Sequence, residues 1–331
     1  MDVIDKNGEK LTRKKERGCI VCGAEGRGCS ARRLHSVSEL REVTQKIICD
    51  YFKEADREKL VDLATQSLIL EASTTPKPGL VDMDNNGSHK DMDLDMFIKS
   101  ANTLTPYFKK CVEIGQNFAD NPDEIFQKLR QEGLLAQQAM YEATGGINTH
   151  KGAIYSMGII CGALGCLWAA ENSVFHIDEI FSMCSRISKE AVKEDFQNID
   201  YSTAGGRLYL EKGIRGIRGE VSEGFPSVKN IALPAFKKAL TEGYSENDAG
   251  VFALIALFAN VDDTNVLSRG GEEGCVFAKS AARELHSKSP FPDLKEVRDL
   301  DKRFIEKNLS PGGCADLLAV TYFIHRTTNG L

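Results

Sequence analysis

From Ser38 to the end of the chain, apolar residues recur at three- and four-residue intervals, and no stretch sustains a two-residue alternation rich in β-branched residues. That pattern restricts the chain to helices. Leu40, Val43, Ile47, Ile48 and Tyr51 give the period over Ser38–Phe52, and Leu60, Leu63, Ala64, Ser67, Leu68 and Glu71 give it over Asp56–Ala72. Further amphipathic segments are predicted at about 93–117, 123–143, 151–170, 176–192, 203–212, 226–241, 246–259, 272–286, 293–307 and 312–326. Pro122, Gly145-Gly146, Gly243, Pro290 with Pro292, and Pro311 punctuate them. The expectation is an all-α fold: one large domain over residues 38–331, of ten or more helices, with functional loops at the helix junctions.

The 331 residues are 42% hydrophobic and 27% charged, enough to bury a substantial site. A net charge of −6 supplies no field that attracts a polyanion, so nucleic acid is excluded as a partner and any phosphate site must be a local cluster of cations. Glycines interrupt the longest apolar run, Gly158–Ala170, which is too short for a bilayer; neither a membrane nor a targeting segment is expected. Ten cysteines scattered through helices read as reduced thiols of a cytoplasmic protein.

Ahead of the helices, residues 1–17 are polar and lysine-rich, a disordered lead-in. Cys19, Cys22, Cys29 and His35 then crowd into residues 18–37 with spacings of two, six and five. Three soft ligands and an imidazole in one short segment suit a small tetrahedral Zn²⁺ site, although the spacing is no standard finger; reduced cysteines in a loop are the alternative.

The richest loop is Thr74–Asp93. Pro76, Pro78, Gly79, Asn85, Asn86 and Gly87 exclude regular structure, yet it carries Lys77, Asp82, Asp84, His89, Lys90, Asp91 and Asp93. Cations beside carboxylates can hold phosphate and Mg²⁺ together; a solvated polar loop is the competing reading. Other polar motifs also fall at junctions. Gly145–Gly152 contains Asn148, Thr149 and His150, with Thr149 as the expected cap of a helix rich in small residues. Thr203–Arg207 and Gly213–Asn230 interleave Arg207, Arg215, Arg218 and Lys229 with glycines, a backbone able to wrap a phosphate, with loop arginines paired to surface acids as the alternative. Asp262 and Asp263 are adjacent carboxylates that either hold Mg²⁺ or cap a helix. Ser310 and Pro311 open the last helix, and Cys314 has no base beside it.

Taken together, Ser73–Asp93, Gly146–Gly152, Thr203–Arg207, Gly213–Asn230, Val261–Gly271 and Asn308–Leu318 resemble the triphosphoribosyl-dephospho-CoA synthase family. The resemblance implies a transferase that joins ATP and 3′-dephospho-CoA to give 2′-(5″-triphosphoribosyl)-3′-dephospho-CoA, releasing adenine. That product is the precursor of the citrate lyase acyl-carrier prosthetic group, and a malonate decarboxylase branch uses it too. Residues 17–40 resemble instead the tail of phosphoribosyl-dephospho-CoA transferase; that enzyme or the acyl carrier protein is the implied partner. A Mg²⁺-dependent ATP hydrolase or kinase, and a non-catalytic nucleotide-binding scaffold, are the rival functions.

The chemistry asks for a base, a donor to departing adenine and clamps for a triphosphate. Residue type and motif nominate His89, Glu71 and Glu220 as base candidates. Lys77, Arg207, Arg215, Arg218 and Lys229 are nominated for the triphosphate, and Asn86, Lys90, His150 and Asn230 for positioning substrate. Asp82, Asp91, Asp262 and Asp263 are the Mg²⁺ candidates.

Overall fold

A computed structural model describes residues 18–24, 26–169, 175–198, 204–288 and 290–330. Their regular structure is α-helical apart from one π-helical turn, with no β-strand among them, as the apolar spacing requires. The expected disordered lead-in, residues 1–17, lies outside the described residues. The chain divides into two compact units, Met1–Arg57 and Glu58–Leu331.

The smaller unit holds α1 (Gly26–Arg32) and the first half of α2 (Val37–Ser73). Spacing predicts two helices over Ser38–Ala72; the structure has one of 37 residues, because no glycine or proline interrupts it.

In the larger unit, α3 (Leu94–Thr103) and α4 (Thr105–Asn117) divide the predicted 93–117 segment at Leu104. Then follow α5 (Pro122–Ala143), α6 (Lys151–Ala169), α7 (Ile177–Gln197), α8 (Ala204–Lys212) and α9 (Gly216–Ser222). The π-helical turn Val228–Ala232 runs into α10 (Leu233–Thr241), and α11 (Glu246–Asn260), α12 (Thr264–His286), α13 (Leu294–Glu306) and α14 (Gly312–Gly330) complete the chain. Side-chain caps start several of them. Asp93 accepts from Met96 N, Ser245 from Asp248 N, and Asp293 closes a capping box with Glu296.

Two helices form the centre. Every residue from Ala249 to Ala259 of α11 is buried, and so is most of α6. The glycines of α6 let its backbone touch that of α4: a Cβ on Gly165 would stand 2.2 Å from Val112 O, and one on Gly115 of α4 2.0 Å from Gly162 O. This close crossing fixes the head of α6, where polar residues gather. Lys151–Trp168 is long and apolar enough to cross a membrane, but 78% of it is buried inside the fold, as in a core helix. Truncating Leu254 at the middle of α11 would cost about 2–5 kcal/mol.

Candidate functional site

The Thr74–Asp93 loop is tied down along its length. Thr74 shares a hydrogen bond with Tyr322 (2.7 Å), and the Asn247 side chain clamps Thr75, accepting from its N–H at 2.9 Å and donating to its carbonyl at 2.7 Å. Asp82 is the organiser. Its carboxylate accepts from Thr75 Oγ1 (3.0 Å) and from the amides of Lys77 (2.8 Å), Asp84 (2.7 Å) and Asn85 (2.9 Å). Asp301, from α13, accepts from Gly79 N and Asn85 Nδ2, and Ser88 donates to the Leu309 carbonyl. Gly87 has a positive φ of 56° and lies on the Gly79 backbone, where a Cβ would meet it at 2.5 Å.

This framework drives Lys77 inward. Its side chain, 1% exposed, donates to both Glu71 Oε1 and Glu71 O at 2.6 Å, which leaves one of three ammonium protons uncommitted. Burial raises the Glu71 carboxyl, and Lys77 opposes that rise. At the head of α6, His150 is 2% exposed and pairs through Nδ1 with Ser100 Oγ (2.8 Å). Burial first, and the Lys77 charge second, pull its pKa down to about 3. Asp316, the fifth residue of α14, lies on Gly152, where a Cβ would come 1.9 Å from its Oδ2, and accepts from Ala153 N. Burial holds its carboxyl well above the usual range, reinforced by the charges of Glu71 and Asp263.

Asp263 caps α12, accepting from Asn265 N (2.8 Å) and Val266 N (3.2 Å), while its other oxygen accepts from Cys314 N at 2.8 Å. Burial raises it against those bonds. The same burial, with Asp263 beside it, pushes the Cys314 thiol far up, consistent with the absence of a base there. Glu220 accepts from Ser227 N (3.2 Å) and Ser227 Oγ and is likewise raised by burial. Its charge reaches Cys314, which sets α9 near the start of α14.

Other nominated residues lie elsewhere or are otherwise engaged. His89 has both ring nitrogens occupied, Nε2 by Ser310 Oγ (2.8 Å) and Nδ1 by Arg269 Nη2 (3.2 Å), with Asp91 3.8 Å away. Burial, then Arg269, lowers its pKa, so the ring accepts from Arg269 and donates to Ser310, an arrangement with no lone pair left for a base. Asn86 and Lys90 are exposed on the same loop. Arg215 pairs with Glu223 and lies over the Phe196 ring, Lys229 pairs with Asp178 (2.6 Å), and Arg218 approaches Asp195 at 3.8 Å. Arg218 is nevertheless close enough to Tyr155 on α6 to bias that hydroxyl. Arg207 and Asn230 are exposed.

The four carboxylates nominated for Mg²⁺ do not converge. Asp82 is saturated by its own loop, Asp262 turns outward to Lys279 (2.5 Å), Asp91 is at the surface and Asp263 is a cap. Adjacent positions at a helix start point in different directions, so Asp262 and Asp263 separate. Among the described residues, the one group of three or more metal-ligand side chains with all ligand atoms within 4.8 Å is Cys19, Cys22, Cys29 and His35. There Cys22 Sγ is 3.4 Å from Cys29 Sγ and 3.3 Å from His35 Nε2. Backbone amides of Cys22 and Val21 draw the Cys19 thiol down to about 7.

Sequence reasoning missed Asp316, Asp301, Asn247, Ser100 and Arg269. Asp316 did carry a signal: it is a lone acid in the otherwise apolar Cys314–Leu318 turn, within a motif already singled out.

Residues 57–331 match the family model described as ATP:dephospho-CoA triphosphoribosyl transferase. The chain belongs to this family. Within it, the "Probable 2-(5''-triphosphoribosyl)-3'-dephosphocoenzyme-A synthase" of Photobacterium profundum is 43% identical over 83% of this chain and 92% of that one. The "2-(5''-triphosphoribosyl)-3'-dephosphocoenzyme-A synthase" of Pectobacterium atrosepticum is 37% identical over 86% and 94%. Residues 1–51 match a second family, apo-citrate lyase phosphoribosyl-dephospho-CoA transferase. "Protein CitXG" of Leuconostoc mesenteroides is 33% identical over all of this chain and 74% of its own length. No solved structure matches the chain significantly. Membership of the triphosphoribosyl transferase family agrees with the resemblance carried by the junction motifs.

Proposed function

We propose that the chain joins ATP and 3′-dephospho-CoA into 2′-(5″-triphosphoribosyl)-3′-dephospho-CoA with release of adenine, at the cluster of Glu71, Lys77, His150, Asp263 and Asp316. One observation supports that placement: Glu71 at the end of α2 pairs with the buried Lys77, and Glu71, His150, Asp263 and Asp316, drawn from the end of α2 and the starts of α6, α12 and α14, are all displaced from their ordinary pKa values. Such convergence is typical of catalytic sites.

In this reaction the 2′-hydroxyl of dephospho-CoA attacks C1′ of ATP as the C1′–N9 bond breaks. The hydroxyl proton passes to a base, and adenine departs with a proton from an acid. Glu71, whose charge Lys77 stabilises, suits the base; Asp316, whose carboxyl burial raises well above the usual range, suits the acid. The carboxylate beside C1′ also stabilises the oxocarbenium-like charge. Lys77 offers its remaining proton to phosphate. Arg207 on α8, Arg218 on α9, and Asn86 and Lys90 on the Thr74–Asp93 loop are exposed and suit the outer parts of two large substrates.

Asp82, Asp91, Asp262 and Asp263, nominated for Mg²⁺ in some combination, do not converge, and no step is routed through them; Mg²⁺ enters this reading with the triphosphate of ATP, as is usual for that ion. Zn²⁺ does fit Cys19, Cys22, Cys29 and His35. Their spacings of 3.4 and 3.3 Å fall in the tetrahedron-edge range of about 3.3–3.8 Å that zinc bonds of about 2.0–2.3 Å imply, and Ile20 and Leu34 beside them are exposed, so the segment has little core to hold it otherwise. Metal analysis of the purified chain should find one zinc; none would leave the segment a thiol loop. Val37, Ile47, Ile48 and Tyr51 expose apolar surface on the first half of α2, in the unit that matches the partner transferase family, and that face suits docking of the transferase.

The test is to supply ATP, Mg²⁺ and dephospho-CoA and follow free adenine. ADP or AMP without adenine would favour a hydrolase or kinase, and ATP binding without turnover a scaffold.

A further inference from the structure

His150 is the residue before α6, and its carbonyl starts that helix by accepting from Ile154 N at 2.7 Å. Its ring is enclosed, with Phe97 edge-on at 5.1 Å and Ser100 Oγ at 2.8 Å from Nδ1. Ser100 is itself an acceptor, for Thr149 Oγ1 at 2.7 Å. A hydroxyl that accepts this bond keeps its own proton, and with Nδ1 as its other side-chain neighbour the arrangement favours donation to Nδ1. The proton of the neutral ring therefore sits on Nε2. The Nε2 atom is buried and has no hydrogen-bond partner among the described residues.

A buried donor left without an acceptor is costly, and folded chains keep few of them. Of the charged groups in this cluster, the Lys77 ammonium is the one that acts on the ring, with Glu71 and Asp316 in the next layer. Lys77 comes from the Thr74–Asp93 loop with one ammonium proton uncommitted, Glu71 stands behind Lys77, and Asp316 lies two residues along α6 at Gly152. Beside the Lys77 ammonium the ring has no means of becoming a second buried cation. The ring is thus disfavoured as a proton carrier and suited to a neutral hydrogen bond.

We infer that His150 is a positioning residue, giving its Nε2–H to the same phosphoryl oxygen of bound ATP that receives the third proton of Lys77, with Thr149 and Ser100 fixing the tautomer. This rests on the reading of the cluster as the ATP site. A neutral donor paired with one ammonium suits an anionic oxygen, since the pair adds a directed bond without a second charge.

The experiment compares His150→Gln, which keeps a donor near the Nε2 position, with His150→Leu, which does not. ATP affinity is read by calorimetry and the ATP KM by adenine release. His150→Leu should weaken ATP about 10- to 100-fold, the usual cost of a bond to a charged group, and His150→Gln should recover most of that without moving the pH profile. Ser100→Ala, which frees the tautomer, should fall between them. Nitrogen-15 spectra of the ligand-free protein should show His150 as the Nε2–H tautomer from pH 5 to 8. Equal losses in the Gln and Leu variants, or a ring that titrates in that range, would overturn the inference. If the wild type binds ATP but releases no adenine, the transferase reading fails while the binding comparison still decides this one.

Discussion

Two regions of the chain look alike in sequence and differ in structure. The Thr74–Asp93 loop and the Arg207–Asn230 segment both mix glycine with charge, and both suggest a phosphate grip. In the first, Lys77 and Asp82 turn inward and are held by protein groups; in the second, Arg215 and Lys229 turn outward, each with a partner acid of its own. The difference teaches that burial, and not charge content, marks the centre of this protein. A buried ammonium requires compensation from its surroundings, and those surroundings are the site.

The largest expected effect breaks the inner region. Lys77→Met strands the Glu71 carboxyl and should lower stability by about 3–5 kcal/mol in urea unfolding. Asp82→Ala removes the acceptor for four donors of the loop and should cost about 3 kcal/mol by the same measurement.

Asp316→Asn sharpens the comparison by separating chemistry from stability. A carboxyl raised in the folded state binds its proton more tightly there than when unfolded. Stability is then greatest below the ordinary carboxyl range and falls as pH rises from about 4 toward the folded value. The asparagine variant should lose that decline, so at pH 7 it should melt no lower than wild type, yet release adenine at least about 100-fold more slowly. A variant that melts lower at pH 7 would return Asp316 to a purely structural role. The smallest effects belong to the outer region, where Arg215→Ala or Lys229→Ala should change unfolding free energy by no more than about 0.5 kcal/mol.

How much of this was legible in the sequence follows from the same distinction. Apolar spacing located α5, α6, α11 and α13 to within a residue or so, because burial writes the 3.6-residue period directly. It divided α2 at a polar stretch that contains no helix breaker, and it missed α9, whose glycines and arginines read as loop. The junction motifs were visible, but the direction of a side chain within them was not. Neighbouring Asp262 and Asp263 part company at a helix start, and His89 acquires partners, Arg269 and Ser310, from positions remote in sequence. Asp316 was passed over because a lone acid in an apolar turn resembles a solvated residue until the fold sets it against Gly152.

The central claim is that chemistry lives in the buried cluster and not on the arginine segment. The most direct measurement is the rate of adenine release from ATP and dephospho-CoA by Lys77→Met, beside that of the double variant Arg215→Ala with Lys229→Ala. The account predicts a fall of about a thousandfold or more for the first and less than about tenfold for the second. The reverse order would contradict it.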